Sequence, residues 1–158
     1  VTSVAATATR TAAATRMKGI CFLKGVNGVE GAVEFSEEEG KGTVMTGKIT
    51  GLPPGGHAFR IHQLGDMSQG PQSCGRIYNP GAHKGVAASE SMDHQAGDVG
   101  QLTAGPDGVA EVAFADRNTP LTGAYNIMGR SIVIHSLSDD LSGMASRLAC
   151  GMIGVMED

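Results

Sequence analysis

The chain has 158 residues, enough for one domain that buries about two thirds of its surface on folding. Its 24 glycines, set against 4 phenylalanines, 2 tyrosines and no tryptophan, suit a turn-rich β protein better than a helical one. A net charge of −4 gives no support for nucleic acid or an anionic membrane as partner, and no apolar run approaches the roughly 18 residues of a membrane span.

Residues 1–16 hold no acid and two arginines among mostly alanine and threonine, the composition of an organellar transit peptide or of the end that remains after one is cut. That reading places the protein in a chloroplast or mitochondrion; a plain tail on a cytoplasmic protein is the alternative. An Ala/Thr segment has too little apolar surface to order itself, so this extension is expected to act as an anchor on another chain. Residues 17–158 then form the β domain. Lys18–Lys24 and Val29–Phe35 flank Gly25-Val-Asn-Gly28, a hairpin signal. Thr43–Leu52 alternates and stops at Pro53-Pro54-Gly55-Gly56. His57–Gln63 is the fourth strand. A long irregular stretch, 65–97, exceeds the usual length of a connection and is read as functional. Asp98–Ala104 and Gly108–Ala115 pair across Gly105-Pro-Asp-Gly108, and Arg130–His135 and Cys150–Met156 complete eight strands. Even spacing with Gly/Pro turns predicts an all-β, antiparallel Greek-key sandwich or flattened barrel.

Within the fourth strand the side chains alternate, with His57, Phe59 and Ile61 on one face and Ala58, Arg60 and His62 on the other. A face that carries a guanidinium beside an imidazole is not a core face. The stretch His57–Asp66 is followed in order by Tyr78-Asn79-Pro80, Gly97-Asp98-Val99-Gly100, Gly129–His135, Asp139-Asp140-Leu141 and Arg147–Gly151. Together, from about Lys18 to Val155, they resemble a copper/zinc superoxide dismutase.

The resemblance implies four copper-binding histidines, one of which bridges to zinc. The matching positions here read Arg60, His62, Ile77 and His135. The zinc positions read Ile77, His83, Gln95 and Asp98, with His94 one place from the lost ligand. Arginine has no lone pair to give a metal and is cationic at every accessible pH. Isoleucine can neither bridge two metals nor accept a proton. Ordinary dismutase catalysis is therefore expected to be lost, and no cofactor is the primary expectation. Residual copper on His62 and His135, or zinc on His83, His94 and Asp98, is the alternative. Two readings of Arg60 stay open. It forms an ion pair with Asp98 or Asp139, the acids that match those facing or supporting the metals, or it extends to solvent through a vacated channel. His57 matches a non-ligand histidine that braces loops through the backbone. Arg147 matches the family's anion-guiding arginine, but the segment between Asp140 and Arg147 is much shorter than the family's charged loop, so the walls that focus superoxide are reduced.

Three cysteines, Cys21, Cys74 and Cys150, allow one disulfide. Cys150 matches half of the family's intrasubunit bridge, whose partner position is Pro71 here. A displaced Cys74–Cys150 bridge and three buried, reduced thiols are both open. Three functions follow from the resemblance. The first is a dismutase-fold protein that acts as a structural or binding subunit, as a homodimer or in a larger complex. The second is a dismutase with an atypical copper site, converting superoxide to oxygen and hydrogen peroxide. The third is a copper chaperone-like domain, although no Met-x-Cys-x-x-Cys or terminal Cys-x-Cys is present. Gly151-Met-Ile-Gly154 matches the strand near which family members often dimerise.

Overall fold

The computed structural model describes residues 17–80, 96–137 and 147–157. Among the described residues nine strands run in the order β1 (Lys18–Gly25), β2 (Glu30–Glu38), β3 (Gly42–Thr50), β4 (Gly55–His62), β5 (Ser68–Pro71), β6 (Asp98–Ala104), β7 (Ala110–Asp116), β8 (Ser131–Ser136) and β9 (Arg147–Met156). Eight of them form a single antiparallel sheet in the order β6-β4-β8-β9-β1-β2-β3-β7. Among the described residues no helix is long and apolar enough to cross a membrane.

The two outer strands, β6 and β7, follow one another in sequence and lie against each other, which nearly closes the sheet into a barrel. The predicted turn between them forms, with the Gly108 amide donating to the Gly105 carbonyl at 2.9 Å. At this seam the Phe59 ring of β4 meets the Phe114 ring of β7 at 5.1 Å, tilted by 39°. Gly100 of β6 has no side chain because a β-carbon there would stand 2.7 Å from the Phe114 ring. The other hairpin turn, Val26–Gly28, closes with a short 3-10 turn in which Asn27 takes φ 54°.

The barrel interior is filled from the expected alternate positions. Leu23, Val33, Phe35, Met45, Ile49, Phe59, Ile61, Ile132, Ile134 and Ile153 are all buried in one cluster. The strand bounds differ from the sequence pattern by up to three residues, as at the end of β2, which runs on to Glu38, and one strand is added. β5 is a strand inside the stretch read as irregular, packed beside β9. β9 starts at Arg147, three residues before the expected Cys150, because Arg147 pairs opposite His135 across a bulge in β8.

Phe59 fills the closing seam and is fully buried. Replacing it with alanine is expected to cost about 3–5 kcal/mol of unfolding free energy, the usual range for a core phenylalanine. Urea unfolding checks this, and a loss under about 1 kcal/mol would show that the seam does not depend on the ring.

Candidate functional site

β4 is buried on both faces from His57 to His62 except at Arg60, which is half-buried. One face is the barrel core. The other is roofed by the chain that leaves β4, which turns back and hydrogen-bonds to it. The Gln63 amide donates to the Arg76 carbonyl at 2.8 Å, and the Leu64 amide to the Cys74 carbonyl at 2.9 Å. Three backbone bonds then lock the end of β4. The Ile61 amide donates to Gly97, the Gly97 amide to Tyr78 and the Tyr78 amide to Ile61, at 2.7, 2.7 and 2.8 Å. Gly97 is required for this approach, since a β-carbon there would lie 2.2 Å from the Ile61 carbonyl oxygen. The roof places Ile77 in an isolated bridge with His62.

The roofed face brings Arg60, His62 and His135 into one site. His135, on the neighbouring strand β8, stands opposite Ala58 and so shares that face. The Arg60 Nε–H donates to Asp98 Oδ1 at 3.3 Å, across a bulge between β4 and β6. His62 and His135 stack with centroids 5.0 Å apart, and their Nε2 atoms are 2.9 Å apart. His62 Nδ1 lies 2.9 Å from the Gly75 carbonyl oxygen. A carbonyl only accepts, so Nδ1 of His62 carries the proton and its Nε2 is bare. The His135 Nε2–H then donates to that bare nitrogen. The lone pair of His62 that faces the site is therefore occupied by its neighbour.

Burial, with the cations around the pair, keeps it neutral. Burial, opposed by the Gly75 bond and reinforced by Arg147 and Arg60, pushes the His62 pKa down to about 4. Burial first, and then His62, Arg60 and Arg147, push His135 down to about 3. Arg147, at the head of β9, is almost fully buried and donates from Nη1 to the Pro71 carbonyl at 2.8 Å, which ties the roof to the barrel. His57 sits outside this cluster and holds the Pro53 carbonyl at 2.6 Å from Nε2.

The model of the copper/zinc superoxide dismutase family matches residues 29–153. The chain belongs to that family. Copper and zinc are the metals of these dismutases, and the donor chemistry here does not fit their copper. Two of the four positions are an ion-paired guanidinium and an alkyl side chain, and the remaining two imidazoles are bonded to each other. Among the described residues no group of three or more His, Cys, Asp or Glu is placed to hold a metal. Of the zinc positions, Asp98 is engaged by Arg60 and Ile77 offers no donor; His83, His94 and Gln95 lie outside the described residues, as does Asp139.

Cys74 and Cys150 are free thiols packed in a small cluster that also contains Val133 and Met67, while Cys21 is buried in the main core. Met67 escaped the sequence reading altogether. It sits in a loop with no spacing signal, and only the tertiary contact reveals it. Arg130, read from the sequence only as the start of a strand, stacks over the Tyr78 ring at 4.1 Å and holds the Gln63 carbonyl, bracing the roof.

The depressed imidazoles have a pH consequence. In the unfolded chain they protonate below about pH 6.5, whereas in the folded chain they wait until about 4 and about 3. Their contribution to stability is thus full above about pH 6.5 and is lost as the pH falls toward about 4. Thermal unfolding of the metal-free chain should show this decline, and His62→Gln with His135→Gln should flatten it. Parallel pH profiles for the two proteins would contradict the assignment.

Proposed function

We propose that this member of the superoxide dismutase family has lost dismutase catalysis and serves as a structural or binding subunit. The observation that carries the reading is the closed set of contacts at the copper position. Arg60 answers Asp98, and His135 answers the open nitrogen of His62. Dismutation needs a copper ion that is alternately reduced and reoxidised in a fixed shell of imidazoles. To enter here, a divalent ion would have to break the His62–His135 bond and sit beside the Arg60 and Arg147 cations that already act on both rings. Two like unit charges 4 Å apart cost about 4 kcal/mol at an effective dielectric near 20, and a divalent ion doubles the term. Ile77 adds no donor in return.

A protein partner suits the outer face of β1 and β9. Phe22 of β1 and Met152 of β9 are 70 and 50% exposed on the outer face of adjacent strands. Neighbouring large apolar side chains in water are a feature of interaction surfaces. We read this face as the site of a homodimer or of docking into a larger complex. The N-terminal extension, the other expected anchor, lies outside the described residues.

Two measurements test these readings. After loading with Cu(II) and Zn(II) and dialysis, the chain is expected to dismutate superoxide no faster than buffer. Arg60→His combined with Ile77→His, which returns the four imidazole positions, is expected to gain Cu(II) with nitrogen hyperfine structure in its EPR spectrum. Turnover by the unmodified chain would overturn the proposal. Phe22→Glu with Met152→Glu is expected to lower the sedimentation mass of the purified chain, or to abolish its capture by its partner complex, while thermal stability changes little. An unchanged assembly in both assays would exclude this face.

A further inference from the structure

Next to the roof, outside the imidazole site, three sulfur atoms converge. Cys150 on β9 is the middle one. Its thiol donates to Met67 Sδ at 3.5 Å and packs in the same small buried cluster as Cys74. Cys74 is fully buried and Cys150 almost so, whereas Met67 is half-buried at the surface end of the cluster. Val133 closes the inner side.

The loop that carries Met67 and Cys74 is held in place. Asp66 Oδ1 accepts from the Ser68 amide at 2.9 Å, and the Ser73 hydroxyl donates to the Asp66 carbonyl at 2.6 Å while accepting from the Gln69 amide at 3.0 Å. Arg147 pins the same loop through Pro71. The sulfurs are thus presented by a fixed turn and a central strand, as a binding site requires.

From this convergence we propose that Cys74, Cys150 and Met67 form a binding site for Cu(I), with two thiolates and one thioether as ligands. Thiolate and thioether donors select soft cations over zinc-type or hard ones. Two sulfurs on one metal at about 2.3 Å each stand about 4 Å apart in a trigonal shell, so the 3.5 Å pair needs to open by only a few tenths of an ångström. Two thiolates around one Cu(I) carry a net charge of −1, and the Arg147 guanidinium acts electrostatically on Cys74. The charge of the loaded site is thereby balanced within the protein. Met67, at the surface end, supplies the entry path. Binding exchanges both thiol protons for one ion and needs the thiols reduced, because a Cys74–Cys150 disulfide would remove two of the three donors. The proposal does not depend on the loss of dismutation, since a three-sulfur shell next to the roof is separate from the imidazole pair.

The test uses the full chain, reduced with a phosphine under anaerobic conditions and titrated with Cu(I) against a chromophoric chelator. One tightly held Cu(I) per chain is expected, with sulfur scatterers in its X-ray absorption spectrum. Met67→Leu, a near-isosteric change at a half-buried position, should weaken binding at least about tenfold, the scale on which even outer partners of metal sites act. Cys74→Ser should weaken it further; if that variant does not fold, Met67→Leu carries the test. Failure to compete with the chelator, a nitrogen-dominated shell, or wild-type affinity in Met67→Leu would each overturn the proposal.

Discussion

The site depends on where the pleat of β4 puts Arg60. A strand presents alternate side chains on opposite faces, so a guanidinium at 60 must share a face with His62 and lie beside His135 on the next strand. A half-buried cation at that position favours an anion beside it, and the β4–β6 register supplies Asp98 directly opposite. Neither partner of the pair is fully buried, so its worth is modest, on the scale of a partly exposed ion pair. Its larger effect is on chemistry. A carboxylate engaged by arginine, and two imidazoles kept neutral by burial and by the cations near them, leave a site that is satisfied by its own groups.

The roof makes this self-sufficiency durable. Residues 63–80 hydrogen-bond back onto β4, receive Arg147 at Pro71 and stack Tyr78 under Arg130. Each of these contacts ends on protein atoms, and none calls for a metal ligand. Backbone bonds, a cation over a ring and a buried guanidinium hold the loop. The same loop delivers Met67 and Cys74 to Cys150, so the sulfur cluster and the closed imidazole site are two results of one packing arrangement.

Much of the architecture was legible in the sequence. Period-two alternation and Gly/Pro turns mark all eight strands of the sheet, because half-buried strands must alternate and tight turns must use those residues. The short β5 was not legible, since Ser68–Pro71 has no alternation to show. Nor was the early start of β9, where Arg147 reads as a site residue and not as the first residue of a strand. At the site, the identities at 60, 62, 77, 98 and 135 could be read by position, and Asp98 was one of two acids available to Arg60. What could not be read is how the groups satisfy one another. The partner of His62 is a backbone carbonyl, at Gly75, and backbone carbonyls leave no mark in a sequence. The direct bond between the two imidazoles follows from the orientation that this carbonyl imposes.

The most direct test of the account is the protonation state of the two histidines in the metal-free chain at neutral pH, read from imidazole nitrogen chemical shifts before and after addition of excess Cu(II). The account requires both rings neutral, His62 protonated on Nδ1 and His135 on Nε2, with signals that neither move nor broaden when Cu(II) is added. Rapidly exchanging tautomers in the free chain, or paramagnetic loss of both signals at stoichiometric Cu(II), would show that the site is open to metal and would contradict it.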